Sequence, residues 1–516
     1  MYSLKLQNLS YTKGFMLAFT LGFVVRLIPE LLSFPNPIGW DTIYYAARIN
    51  AGIVWTHWSD VFSSWLIYGI LAFLGNLSQL DPFILLKIVG PLLYGGTTAA
   101  IFFVAWKKLN WNVTKSLLVS GFFALQLAAL TIGWHFYRNV FGVMILLFTI
   151  PFLRNDIGWK GTAGLSLLSL LIVWGHELAA VSLFAVVVGL LVLSILRKEA
   201  IPYRLFLSII PALIIFCGNI VFVSPYPNAL ENNLVSLGDS VWAHPAGLFF
   251  LTDYLSVSTP IESYASYFDL ISSVGSLFIL LYIVSLPLVI VGYFKDRFFS
   301  FWTLLLMVCS FSCLILPFSA VLLWGRWMLM LVYPFAFFAA NGLWKIAKCG
   351  KAFGVSRFFG WLKVTKKAGI VLSLASILIG LLFMSWPLVD GKYGVIGWGN
   401  TFKYVPSTMQ SSSVPLCDTE GTIEAFEWLN THMTNDSSLL VHDVFKFWTM
   451  LYLDQSQTAI LFDNNLEEAS NLAVEQGFES AYFVWWNQDI EWYNLQYSTD
   501  WVSVFDSERI SVFQIF

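Results

Sequence analysis

Few residues in this chain have the type and setting to do chemistry, and the first is a carboxylate. Asp41 lies in Asn36-Pro37-Ile38-Gly39-Trp40-Asp41-Thr42-Ile43-Tyr44-Tyr45-Ala46-Ala47-Arg48, the first polar interruption after the first long hydrophobic run. If Asp41 opens a short helix, Tyr45 and Arg48 share its face at i+4 and i+7. A carboxylate at a membrane surface can take a proton from a hydroxyl or amide, or hydrogen-bond it. The same pattern suits a helix cap, because Asp after Pro and Gly and before a helical run is a common helix start. The two roles are compatible.

The second set is cationic. Trp134-His135-Phe136-Tyr137-Arg138-Asn139, Trp174-Gly175-His176-Glu177 and Trp324-Gly325-Arg326-Trp327 each stand at an end of an apolar run. Arg138, His176 and Arg326 on one aqueous face, flanked by Trp and Tyr that suit an interface, would form a clamp for an anion such as a lipid phosphate. Taken singly, each Arg also fits a snorkelling anchor. Glu177 could orient His176 or bind a hydroxyl. The pair His176-Glu177 is not a metallopeptidase motif, since position 180 is Ala180 where H-E-x-x-H needs a second His. Arg26 and Glu30 lie an i,i+4 step apart inside the first apolar run, where ionisable groups are costly and suggest either function or a structural ion pair.

These residues need a membrane-embedded scaffold. Of the 516 residues 58% are hydrophobic and 11% charged, against about 25% charged in soluble domains, which implies a polytopic membrane protein. Runs long enough to span appear near 14–33, 83–106, 116–134, 138–153, 161–175, 178–196, 204–224, 267–294, 299–320, 327–344 and 368–388. The stretch 60–79, with Trp65, Tyr68, Gly69, Gly75 and Asn76, decides the topology. If it lies in the interface, the clusters Lys107/Lys108/Lys115, Arg154/Lys160, Arg197/Lys198/Arg204, Lys295/Arg297 and Lys345–Lys367 all fall on the cytoplasmic side. Asp41, Arg138, His176, Arg326 and the loop 225–266 then fall on the outer side. About eleven spans follow, with the N-terminus inside. The N-terminal run lacks a small-x-small cleavage site and is read as a transmembrane helix, not a signal peptide.

The chain also divides by charge. Residues 390–516 carry 4 Lys+Arg and 18 Asp+Glu, leaving 24 and 13 for residues 1–389. The basic residues lie between apolar runs, which gives no indication of nucleic-acid binding. Loop 225–266 reads as a substrate-covering loop or an inert insertion, and residues 390–415 as a turn-rich linker. Beyond it the pattern alternates: helix Thr422–Met433, strand Ser438–His442, helix about 444–453, strand Thr458–Phe462, helix 465–477, strand Ala481–Trp485, and strands near 501–505 and 510–516. That is a small α/β domain. The expected fold is therefore an all-α polytopic membrane domain over 1–389, with outer loops 34–82 and 225–266, followed by an extracytoplasmic soluble α/β domain over 390–516.

Weaker motifs have structural readings. Trp485-Trp486-Asn487-Gln488-Asp489 suits a strand end, and Asp418-Thr419-Glu420 a helix start. Asn76, Asn112 and Asn435 sit in glycosylation sequons. The five cysteines, Cys217, Cys309, Cys313, Cys349 and Cys417, form neither C-x-x-C nor metal spacing.

This arrangement resembles the GT-C fold glycosyltransferases, such as the protein mannosyltransferases and the lipid A aminoarabinose transferase. The resemblance rests on one span, then a loop carrying Asp41, Tyr44 and Tyr45, juxtamembrane helices, many further spans and a C-terminal outer domain. It implies transfer of a sugar from a polyprenyl-phosphate-linked donor to a protein, lipid or glycan acceptor at the outer face of what is expected to be the cell membrane. It also implies that Asp41 acts as general base or as a metal or acceptor ligand, with Arg138, His176 and Arg326 on the carrier phosphate; Tyr45 and Arg48, on the Asp41 face, and Glu177, which can bind a hydroxyl, are expected to line the substrate site. Many members carry Asp-Glu or Asp-x-Asp/Glu-x-Asp, whereas Thr42 follows Asp41 here, so a divalent metal is an optional cofactor. Two other classes compete: a transporter or lipid-carrier flippase, against which the absence of an internal repeat counts, and a non-catalytic membrane-anchored scaffold.

Overall fold

The computed structural model describes residues 9–52, 58–154, 156–222, 234–236, 267–314, 324–349, 353–354, 363–384, 414–454, 456–462, 465–487, 495 and 501–516. The expected boundary at 389/390, most of loop 225–266, and Gln488 and Asp489 lie outside them.

The protein is a multi-pass membrane protein built on a helical bundle. Its first helix, α1 (Tyr11–Leu32), starts where Ser10 accepts the Lys13 N–H. Then come α2 (Thr42–Ala51), a short 3₁₀ turn Trp58–Phe62, and α3 (Leu66–Ser78). Asp81 opens α4 (Pro82–Lys107) by accepting the N–H groups of Phe83 and Ile84 at 2.8 and 3.3 Å, with Pro82 at the first helical position, where its missing N–H costs nothing. After it run α5 (Val113–Ala124), α6 (Leu127–His135), α7 (Tyr137–Thr149), α8 (Trp159–Gly175), α9 (Glu177–Leu196) and α10 (Tyr203–Phe222). The bundle closes with α11 (Tyr267–Tyr282), α12 (Leu286–Gly292), α13 (Arg297–Phe311), α14 (Trp324–Met330), α15 (Val332–Cys349) and α16 (Lys366–Met384).

Among the described residues seven helices are long and apolar enough to cross a membrane, or nine if the bent pairs α5–α6 (64°) and α11–α12 (71°) each count as one span. The expected eleven includes two shorter segments. The run near 138–153 contains α7, 13 residues long, and the run near 161–175 is α8, 17 residues long. They run out and back together, so the parity of the topology is the same whether or not they count. Stretch 60–79 contains α3, whose 13 residues extend about 20 Å, short of the ~30 Å hydrocarbon core. Its apolar side chains Phe73 and Leu77 point outward.

The C-terminal part is a six-stranded sheet with helices. After a two-residue hairpin, β2 (Phe353–Gly354) and β3 (Lys363–Val364), the strands are β4 (Ser437–His442), β5 (Thr458–Phe462), β6 (Ser480–Trp486), β7 (Val502–Ser507) and β8 (Ile510–Gln514). All six residues of β4 are buried, as expected of a central parallel strand. The helices are Thr419–His432, Lys446–Tyr452 and Leu466–Glu475, each within a few residues of its expected position. The sixth strand comes from elsewhere. β1 (Leu234–Ser236), part of loop 225–266, pairs parallel with β5, giving the order β1-β5-β4-β6-β8-β7. The described part of that loop is thus an edge strand.

Two weak motifs meet in this unit. The Trp486 Nε1–H donates to the buried Asp418 carboxylate at 2.8 Å, and Arg509 lies 3.5 Å from the same group. Asn112 caps α5, and in the Asn435 sequon Ser437 is buried and bonded to Ser480.

The sheet unit rests on the membrane part. Asn36 donates to the Leu416 carbonyl at 3.3 Å, and the rings of Tyr44 and Phe447 lie 5.0 Å apart. Loop 34–41, β1 and the C-terminal sheet therefore share one side of the membrane.

Candidate active site

The loop after α1 turns at Gly39, whose φ of +96° belongs to the region that favours glycine. A Cβ there would also run into the Trp134 carbonyl. Gly39→Ala should displace the loop and destabilise the protein by about 1–3 kcal/mol, read as a lower thermal midpoint in detergent.

Asp41 precedes α2 with helical φ and ψ, and its side chain caps nothing. Thr42 Oγ1 bonds the Ile38 carbonyl instead. The half-buried Asp41 carboxylate accepts no hydrogen bond from the described residues, so the capping role expected from its sequence position is not the one it fills. Burial pushes the Asp41 carboxyl above the usual carboxylate range, against the pull of the Arg326 and Arg138 guanidiniums. The fields of both cations thus converge on this one acid.

The other candidates surround it unequally. Tyr45 is buried, with its hydroxyl accepting the Arg138 backbone N–H at 3.0 Å and its ring packed beside Tyr68 and Tyr137 at 5.7 and 5.2 Å. It therefore ties α2 to the start of α7. Arg48 lies with its guanidinium 5.0 Å from the Tyr68 ring, and its Nε has no hydrogen-bond partner among the described residues. Arg138 pairs with Glu177 at 3.2 Å, both half-buried, so part of its charge is already balanced. His176 sits at the α8–α9 junction, where its Nδ1 accepts the Leu178 N–H at 3.2 Å and lies 3.4 Å from Asn139 Nδ2. Its ring is therefore a helix cap. Arg326 packs over Phe136 at 4.7 Å and makes no ion pair among the described residues.

The charges of Arg138 and Arg326 act on both the Asp41 carboxyl and the His176 ring, and Arg138 also pairs with Glu177. Tyr45 adjoins these groups from α2, and Arg48 reaches them only through the Tyr68 ring, which Arg138 also faces at 6.0 Å. Among the described residues no three His, Cys, Asp or Glu side chains gather to hold a metal. Among the described residues no second free carboxylate stands beside Asp41, because Glu177 is held by Arg138, so the described residues do not fit a divalent ion. A groove of about 410 Å³ between Arg154, Asp156 and Leu168 lies at the far end of α7 and α8 and includes none of these groups.

Sequence reasoning missed two neighbours. Lys87, on α4, joins the Arg26–Glu30 pair, which lies at 2.7 Å: its Nζ is 3.1 Å from Glu30 Oε2 and 2.8 Å from Ser33 Oγ. Lys87 inside an otherwise apolar run was the available signal. His135 is the other, legible within Trp134–Asn139 but given no role there; its Nδ1 accepts the Trp40 backbone N–H at 2.8 Å.

No family model and no curated protein sequence matches the chain. Among solved structures it is similar to the arabinofuranosyltransferase AftD from Mycobacteria, determined by single-particle cryo-EM, at a TM-score of 0.47 and 13% identity over 96% of this chain and 39% of that one. The chain spans about two fifths of the length of that structure.

Proposed function

We propose that the protein is an integral-membrane glycosyltransferase of GT-C architecture that moves a sugar from a polyprenyl-phosphate-linked donor to a protein, lipid or glycan acceptor. The observation that carries this reading is the uncommitted, half-buried Asp41 carboxylate under the converging fields of Arg138 and Arg326. In the proposed reaction the acceptor O–H or N–H gives its proton to Asp41 while the acceptor atom attacks the anomeric carbon. The bond from that carbon to the phosphate oxygen breaks, and the electron pair stays on the phosphate. Arg326, which makes no ion pair among the described residues, stabilises the developing charge, with Arg138 and His176 beside it. One carboxylate suffices, because a phosphate leaving group needs charge stabilisation more than a proton.

The positive-inside pattern supports an outer-face site in the cell membrane, with the N-terminus cytoplasmic and the C-terminal sheet extracytoplasmic. Eleven crossings are compatible with the shared side of loop 34–41, β1 and the sheet.

The test offers purified protein a panel of radiolabelled polyprenyl-phosphate sugars with hydroxyl and amide acceptors. Release of sugar from one lipid to an acceptor is expected. No transfer from any donor, together with movement of lipid carrier across vesicles, would replace this reading with the flippase.

The pH profile adds a second check. Asp41 works as a base only when ionised, and its pKa is raised by burial. Turnover should therefore fall on the acid side at a pH above the ~4 typical of exposed carboxylates. An acid limb at or below that value would show that the base is another group.

A further inference from the structure

His135 ends α6 with its side chain almost fully buried, and it joins two regions far apart in sequence. Its Nδ1 accepts the backbone N–H of Trp40, the residue just before Asp41. A ring nitrogen that accepts an N–H carries no hydrogen, so the hydrogen-bond pattern assigns the proton of the neutral ring to Nε2. That Nε2–H is buried and meets no acceptor among the described residues.

On the other side, α6 is itself held. The Gly133 carbonyl accepts from Arg26 Nε at 3.1 Å, and Arg26 is fixed by Glu30, which also holds Lys87. Rigid α1 and α4 therefore pin the end of α6, and the end of α6 pins Trp40. The pinned peptide follows Gly39, the residue with the widest torsional freedom in the loop. Anchoring its N–H removes freedom where Asp41 would otherwise swing most.

A buried donor without an acceptor costs about 1–3 kcal/mol. An apolar ring would only move that orphan to the Trp40 N–H, so the His ring commits its one acceptor to the peptide beside Asp41. We infer that His135 is a positioning residue, which holds the Trp40 peptide so that the Asp41 carboxylate faces Arg138 and Arg326. The inference rests on Asp41 being the base proposed above.

The test compares three substitutions in the full-length protein. In Asn, Oδ1 lies where Nδ1 lies in His, whereas the longer Gln places its amide near Nε2, and Phe offers no acceptor. H135N should keep transfer within a few-fold of the parent protein. H135Q and H135F should lose about 10- to 100-fold in kcat, the scale of a small misplacement of a reacting group, with little change in KM for the donor. Their thermal midpoints should stay close to the parent's, because in H135F the lost orphan at Nε2 is replaced by one at the Trp40 N–H. Hydrogen exchange over residues 34–48 should speed up in H135Q and H135F but not in H135N. Three variants that all turn over and exchange like the parent would overturn the inference, as would H135N failing as badly as H135F. Hydrogen exchange does not depend on the reaction. Activity in an Asp41→Asn protein would therefore defeat the catalytic reading, while the exchange data would still decide whether His135 anchors the loop.

Discussion

Asp41→Asn should lower sugar transfer by about 10²–10⁴-fold, the usual contribution of a general base, and leave the protein folded. The stability half follows from the direction of the pKa shift. The fold raises the pKa of Asp41, so this group favours the folded state most when protonated, below its unfolded pKa. That contribution is lost as pH rises through the folded pKa. At neutral pH the ionised side chain is therefore a cost to the fold, and a neutral amide of the same shape relieves it. Purified Asp41→Asn should elute and melt like the parent protein while releasing sugar from the donor more slowly by that factor. Normal turnover would remove Asp41 from the reaction, and a lower melting temperature would show that its charge is structural.

Glu30→Ala should have the largest effect on stability. Glu30 is the sole acid in the buried Arg26–Glu30–Lys87 triad, with 2% of its side chain exposed, and it contacts both cations. Its removal leaves two positive groups inside the bundle with no counter-charge, at a cost of about 3–5 kcal/mol. Lys87→Met is the informative contrast, because it leaves Arg26 and Glu30 as a neutral pair. It gives up hydrogen bonds to Ser33 Oγ and the Glu30 carbonyl, a loss of about 1–3 kcal/mol. Thermal unfolding in detergent should rank the parent first, Lys87→Met next and Glu30→Ala last. A Glu30→Ala protein as stable as the parent would mean that water or lipid headgroups reach the triad.

The long-range part of the architecture was partly legible in the chain. Apolar runs about 20 residues long must either cross a membrane or be buried, and alternating patterns after Thr422 must form strands and helices, because side-chain period follows backbone geometry. Element boundaries in the C-terminal part followed directly: strand Thr458–Phe462 was placed to the residue. Span number was less legible, since hydropathy summed over a window does not register helix length: the runs near 138–153 and 161–175 hold α7 and α8, of only 13 and 17 residues. β1 was hidden for a different reason. A three-residue edge strand has too little pattern to separate it from a loop, and its partner lies more than 200 positions away.

The site divides along the same line. By itself the sequence determined which groups are chemically out of place: Asp41, Arg138, His176, Glu177 and Arg326 amid apolar filler, and Arg26 with Glu30 inside a span. That much follows from the cost of placing ionisable groups in hydrocarbon. Only the tertiary structure decided how they are shared out. The local pattern made Asp41 a helix cap, but its carboxylate caps nothing, the Thr42 hydroxyl turns back to the Ile38 carbonyl, and Asp41 is left in the fields of Arg326 and Arg138. Arg138 is paired with Glu177, and the His176 ring caps α9. Lys87 and His135 gained their roles from residues 57 and 95 positions away. Those partners meet because packed helices bring distant segments within hydrogen-bond reach, and a one-dimensional pattern carries no record of which helix packs against which.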